Sequence, residues 1–327
     1  MNSGNYERCL SNRSVSASVA SMQTIWYLMQ LGLSLTAGAL VAGFVGKQRW
    51  HRFTAISLDT VLYSLLFLMG VNTAQIPHIE QQIVQIGYDA IVSTILVIVG
   101  CLISSVFLGM IVRKRTSGSV HVRQGVSWER LKTPLLMIGI VILGGVVALS
   151  TSLFSWFSSS IITIVLYVLL FFVGMQMVQH EVNLRPLFTS PVMWLLPAST
   201  VIGTYLGALA IPLVTSYSVR EALTLVSGFG WYSLSGVLIS GLGDPQLGSV
   251  SFLSNLFRES ASFILIPLFA TFSRISFSAV SIAGATSMDV TLPLLKKSLG
   301  DTAVPLAITH GVIISLISPF LIPLWYG

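Results

Sequence analysis

Between Ile25 and Trp325 the chain is a succession of apolar stretches, each about 20 residues long, the length of a helix that crosses a hydrocarbon core. Only 9% of its 327 residues are charged and 54% are hydrophobic, where a soluble domain carries about 25% charge. The chain therefore reads as an all-α polytopic membrane protein of the bacterial inner membrane, with no sizeable soluble domain. The expected spans are 25–46, 56–76, 88–112, 134–154, 159–178 and 192–215. Four further apolar segments, 222–242, 250–272, 277–295 and 303–325, are interrupted by Gly, Ser, Thr and Pro. Depending on how many of these are broken or re-entrant, the total is eight to ten transmembrane segments.

The net charge of +6 does not point to nucleic acid, because the basic residues sit in short loops. Lys47, Arg49, His51 and Arg52 follow the first span, and Arg113, Lys114, Arg115, Arg123, Arg130 and Lys132 follow the third. Such clusters mark cytoplasmic loops. The N-terminus is then periplasmic, and an even number of crossings returns the C-terminus to the same side. Residues 1–24 are polar and serine-rich. They read as a disordered tail rather than an ordinary signal peptide, or as an overlong start with Met22 or Met29 as the true beginning. Residues 25–112 and 134–216 form two three-span units around a basic loop, 113–133, and 217–327 holds the interrupted segments. The two cysteines, Cys9 and Cys101, fit neither a disulfide framework nor a metal site.

VLYSLLFLMG (Val61–Gly70) matches VLYVLLFFVG (Val165–Gly174) at seven of ten positions. Three spans separate corresponding points, so a second copy would be inverted, as transporter repeats are. Asn72 and Gln176 each lie two residues past the shared Gly, in positions expected to be equivalent near a two-fold axis. A weaker echo joins SGFGWYSLSG (Ser227–Gly236), ahead of the helix with Glu259, to AGATSMDVTLP (Ala283–Pro293), ahead of the helix with Thr309 and His310.

Glu259 is the most informative single residue. A carboxylate at membrane depth costs about 3 kcal/mol on insertion scales. It either binds a cation or carries a proton, or it is half of an internal ion pair with Arg274 or a base on another helix. Asn255, Glu259 and Ser262 share one helix face by spacing, with Asn255 and Glu259 as candidate substrate- or ion-binding residues, while Arg258 points about 100° away and reads as structural. The three glycines and three serines of SGFGWYSLSG disfavour an uninterrupted helix. A break there would aim backbone groups at a ligand, with Gly228, Gly230 and Ser233 as lining residues and a helix N-terminus able to hold a carboxylate. Close packing of small residues is the competing explanation. Trp231 and Tyr232 fit an aromatic wall or an interfacial anchor. Asp289 is a second acid near a span, a ligand-binding or helix-capping residue. His310 reads as hydrogen-bonded packing, with a proton relay as the alternative, and GTYLG (Gly203–Gly207) as a small-residue packing motif.

No HExxH, GxxxxGK[ST] or GxSxG motif is present, so no enzyme, cofactor or metal is expected. SGFGWYSLSG, the N-x-x-R-E run of Asn255–Glu259, GATSMDVTLP and AITHGVIISLISP together resemble the LysO-type bacterial lysine exporter family, specifically from Ser227 to Pro319. The resemblance implies export of L-lysine, and of its toxic analogue thialysine. It also implies two intramembrane acids, one falling on Glu259. The polar position after FLMG is Asn72 here; if the family's second acid belongs there, this chain departs from the pattern. The side-chain ammonium of a basic amino acid needs a counter-charge, which Glu259 can supply, and exchange with a proton or monovalent cation at that carboxylate would couple two fluxes. A cation/proton antiporter, an exporter of arginine or ornithine, and a membrane scaffold or sensor are the alternatives. Assembly as a homo-oligomer is compatible with the sequence.

Overall fold

In a computed structural model, the described residues are 26, 29–44, 50–76, 78–112, 129–151, 154, 156–157, 159–179, 190–271 and 276–326. The N-terminal tail, most of the basic loop after the third span, and Arg274 lie outside them. The described residues are helical and contain no strand. In order they form α1 (Met29–Phe44), α2 (His51–Ala74), α3 (Ile79–Val112), α4 (Glu129–Ser150), α5 (Ser159–Gln179) and α6 (Val192–Ala208). Then come α7 (Val219–Val226), α8 (Tyr232–Gly241), α9 (Pro245–Ala270), α10 (Ser276–Ala283), α11 (Leu292–Leu299) and α12 (Val304–Tyr326). Among the described helices, α2, α3, α5, α6, α9 and α12 lie in segments long and apolar enough to cross a membrane, and α1 and the end of α4 are shorter apolar helices.

Glycines set how α1 to α6 pack, and they do so twice. A Cβ on Gly38 (α1) would collide with the Phe171 carbonyl (α5), and one on Gly144 (α4) with that of Phe67 (α2). Gly174 (α5) lies against Leu35 (α1), and Gly70 (α2) against Val141 (α4). Phe67 and Gly70 are the counterparts of Phe171 and Gly174 in the VLY repeat, so the first two helices of one copy cross the second and first of the other. The third helices meet each other: Gly100 (α3) packs on the Gly203 carbonyl (α6), and Gly203 on that of Gly100. Reciprocal close approach of this kind is what small residues permit between membrane helices. Gln75 Nε2, just past α2, donates to the Phe154 carbonyl, just before α5, at 3.4 Å. The end of α2 therefore lies beside the start of α5, and the two copies are inverted.

The sequence expectation of a span at 88–112 is corrected at its start. Nothing in IEQQIVQIGY breaks a helix, and α3 begins at Ile79, which carries Asp89 about 15 Å into it.

The interrupted segments at 222–242 and 277–295 are not crossings. α7, α8, α10 and α11 have 8, 10, 8 and 8 residues, about 12–15 Å each, half of a roughly 30 Å hydrocarbon core. Tyr217, just before α7, feels the charge of Asp244, just after α8. Both arms of this first hairpin thus end on one face, the Asp244 face. The second hairpin starts where α9 ends and finishes at the Lys296–Asp301 ion pair (2.9 Å) ahead of α12. The far end of α12 returns to the Asp244 face, where the Tyr326 hydroxyl is 3.9 Å from a Cβ placed on Gly243. The two hairpins therefore enter from opposite faces of the described helices. A Cβ on Gly32, near the start of α1, would stand 3.7 Å from the ring of Phe320, near the end of α12, so both ends of the described chain share one face.

Gly203→Leu should push α3 and α6 apart, since even a Cβ there would lie 2.7 Å from the Gly100 carbonyl. The expected loss is about 1–3 kcal/mol, read as a lower thermal midpoint of the purified protein. Gly43→Ala, where a Cβ meets nothing within 4 Å, should leave the midpoint unchanged or raise it.

Candidate functional site

The hairpin tips meet in the interior. Phe229 and Gly230 have φ of 48° and 92°, and Gly284 has φ of 60°. Positive φ is uncommon for a non-Gly residue and costs about 1–3 kcal/mol, so Phe229 must be held from outside. Its carbonyl accepts from the Ala285 N–H of the other tip at 3.0 Å, its ring packs against Tyr205 at 5.8 Å, and it is fully buried. A Cβ on Gly284 would collide with the Phe229 carbonyl, and one on Gly230 would stand 3.3 Å from that of Ala283. The contact is reciprocal between the two positive-φ glycines, which gives the weaker sequence echo a physical counterpart.

α9 passes beside both tips and grips each with one side chain. Asn255 Oδ1 accepts from the Gly230 N–H at 2.7 Å, and its Nδ2 donates to the Leu225 carbonyl (3.2 Å), the Ser251 carbonyl (2.9 Å) and Ser235 Oγ (3.2 Å). The amide is saturated by the first break. Gly228 leaves no room for a side chain, since a Cβ would stand 2.6 Å from Ser235 Cβ and 2.9 Å from Asn255 Nδ2. Asn255, Gly228 and Gly230 therefore build the break. Arg258 grips the second tip: Nε and Nη2 donate to the carbonyls of Ile282 (3.1 Å) and Ser281 (3.0 Å), and Nη1 to Thr204 Oγ1 (3.2 Å). Those carbonyls end α10, where the helix dipole is negative, so the buried guanidinium needs no carboxylate. His310 bonds through both ring nitrogens, to Ser287 Oγ (2.9 Å) and Thr200 Oγ1 (2.8 Å).

Glu259 is the fifteenth residue of α9, about 21 Å from its start, and 3% exposed. Its Oε2 is buried with no hydrogen-bond partner among the described residues. It lies within electrostatic reach of Asp289, and Tyr232, the first residue of α8, is within reach of both acids. Trp231 is the N-cap of α8 and gives it no side-chain cap hydrogen bond, and the first-turn N–H groups include that of Ser233. Tyr232 is buried and edge-on to Phe252 at 5.7 Å, an interior wall rather than an interfacial anchor. Asp289 Oδ1 accepts from the Val290 N–H at 2.6 Å, and the residue is exposed into a cleft of about 250 Å³. Gln176 and Met177 of α5, Leu292 and Pro293 of α11, and Ile308 and Val312 of α12 line the rest of it. An acid of α9, an acid of the second hairpin that opens to the cleft, and the start of α8 thus lie within electrostatic reach of one another.

Asn72 is elsewhere. It is buried on α2 toward the Asp244 face, beside Thr73, whose Oγ1 bonds Ser249 Oγ at 2.8 Å. Asn72 and Gln176 correspond in the repeat but lie toward opposite faces. Sequence reasoning passed over Asp89, which is buried at 2% exposure, accepts from Gln85 Nε2 at 2.8 Å and neighbours Tyr217. Burial, then the Asp89 charge, holds the Tyr217 hydroxyl well above the usual phenol range. The i, i+4 spacing of Gln85 and Asp89 was the available signal.

The lysine exporter LysO family model matches residues 33–140 and 135–326. "Lysine exporter LysO" of Escherichia coli (strain K12) is 32% identical over 307 residues, covering 89% of this chain and 97% of the relative. The chain belongs to the LysO lysine exporter family. A "putative lysine exporter" of Haemophilus influenzae (strain ATCC 51907 / DSM 11121 / KW20 / Rd) is 35% identical over 158 residues, covering 48% of this chain and 80% of that protein. No solved structure matches. The family is one of transporters, in keeping with the multi-pass fold.

Replacing Asn255 by Leu should leave the Gly230 N–H and the Leu225 carbonyl without their side-chain partner. A loss of about 1–3 kcal/mol is expected, seen as a lower thermal midpoint in detergent. An unchanged midpoint would remove Asn255 from its structural role.

Proposed function

We propose that this chain exports L-lysine across the bacterial inner membrane in exchange for a proton or monovalent cation, with Glu259 and Asp289 as the acids that meet the substrate. The observation that carries the proposal is the buried, unpartnered Oε2 of Glu259 beside Asp289 and the uncapped start of α8. Lysine has two ammonium groups and one carboxylate. The acid pair supplies counter-charge for the ammonium groups, and the N-terminus of α8 around Ser233 supplies donors for the carboxylate. In a site shielded from water these interactions are stronger than at a surface. Thialysine, with a sulfur in place of a chain methylene, keeps the same charges and spacing and is carried by the same site.

The basic loops after α1 and α3 follow helix ends that lie at the face opposite Asp244. Their charge supports a cytoplasmic position for that face, with both termini in the periplasm. The cleft lies in the half of the protein toward the same face, so lysine enters it from the cytoplasm. A proton and the substrate ammonium compete for the Glu259 carboxylate. Protonation releases lysine, and a fresh lysine displaces the proton. A ligand that binds only one protonation state links the two fluxes in this way.

Glu259→Gln keeps the shape of the side chain and removes its charge. In cells lacking their own exporter and loaded with a lysine dipeptide, efflux should fall at least about tenfold, the effect of a loss of about 1.4 kcal/mol, at equal expression. Full efflux by the variant would return Glu259 to a structural role, and no efflux by the unmodified chain would reject lysine as substrate.

A further inference from the structure

The cleft has a counterpart across the inverted copies. It is bounded by α5, the second hairpin and α12. The corresponding wedge is bounded by α2, the first hairpin and α9, and there the elements touch. Thr73 Oγ1 and Ser249 Oγ join α2 to α9 at 2.8 Å. At Gly236 on α8, a Cβ would stand 2.6 Å from Phe252 Cβ on α9 and 2.8 Å from Met69 Cε on α2. Asn72, the repeat counterpart of cleft-lining Gln176, is buried at 3% exposure, and Ser249 at 5%. The open side and the closed side thus differ in the same three classes of element, one copy apart.

We propose that the wedge between α2, the first hairpin and α9 is the outer half of the substrate pathway, lined by Asn72, Thr73 and Ser249, and that a basic amino acid leaves through it when the cleft on the other face closes. The inference rests on the proposed export of lysine. In an inverted-repeat transporter, exchanging the conformations of the two copies turns an opening on one face into an opening on the other. Here that exchange separates Thr73 from Ser249 and brings Gln176 and Met177 against Ile308 and Val312. The Thr73–Ser249 bond is neutral, and the Met69–Gly236–Phe252 contact is apolar, so neither holds the closed state with a charge. The hydroxyls and the Asn72 amide offer polar partners to a zwitterion without the counter-charge that would retain it, which suits an exit rather than a binding site.

The test is a reversible lock. The double variant Thr73→Cys/Ser249→Cys is expressed in exporter-deficient cells, cross-linked with a membrane-permeant oxidant, and checked for the disulfide by mobility of a fragment cleaved between α2 and α9. Efflux of lysine from dipeptide-loaded cells should be lost on oxidation and return with a reductant. Full efflux from a chain shown to be cross-linked would overturn the proposal. If the reduced double variant does not export, the single Ser249→Cys variant decides, with a membrane-impermeant maleimide added outside. Labelling should be faster in lysine-loaded cells than in unloaded ones, measured against the parent chain with its two cysteines. Absence of labelling in both would overturn the proposal. The unmodified chain is assayed in parallel: its failure to export lysine would overturn the export reading itself, and so is told apart from a lock that does not hold.

Discussion

The contact between the two hairpin tips is the constraint on which the rest of the structure depends. Each hairpin brings a broken backbone to membrane depth, where unpaired N–H and C=O groups are costly. The first tip closes that deficit with the Phe229–Ala285 bond and the Asn255 amide, and the second with the Arg258 guanidinium. Arg258 and Asn255 are three residues apart on α9 but reach opposite hairpins. α9 is therefore the post on which both breaks hang, and Glu259 follows Arg258 directly. The acid is placed in the interior by the same helix that fixes the two tips.

This arrangement separates polar groups that hold the fold from those left for a ligand. Asn255, Arg258 and His310 are fully engaged by protein partners. Glu259 Oε2 is not, and Asp289 opens to the cleft. A buried cation one residue from a buried acid suggests an ion pair, but the carbonyls that end α10 satisfy the guanidinium instead. Were Arg258 paired with Glu259, the acid would have no capacity to exchange a proton for a substrate ammonium. The proposed export mechanism depends on their pointing apart.

Much of the fold was legible in the sequence because its signals are local. Apolar runs mark the long helices, the VLY repeat marks the inverted copies, and GTYLG marks a packing surface, whose partner α3 meets it at Gly203 and Gly207. The Gly- and Ser-rich runs gave the two breaks. What stayed hidden depends on contacts distant in sequence. Two half-helices joined by a break have the same length and polarity as one crossing, and only the meeting of Tyr217 with Asp244 distinguishes a hairpin. Asn255 read as a ligand group because its partners lie 20 and 25 residues away, at Ser235 and Gly230. Asp89 is hidden because the apolar pattern weakens before it, although the helix itself continues back to Ile79.

The central claim is that lysine and a proton compete for one intramembrane carboxylate. The most direct measurement is calorimetric binding of lysine to the purified protein in buffers with different heats of ionisation. Their comparison reports protons released on binding, and linkage requires release if the site must be deprotonated to hold the ammonium. The account predicts proton release at a pH where Glu259 is protonated in the lysine-free protein, and its disappearance in Glu259→Gln. Lysine that binds tightly to the unmodified chain with no proton exchanged at any pH would contradict it.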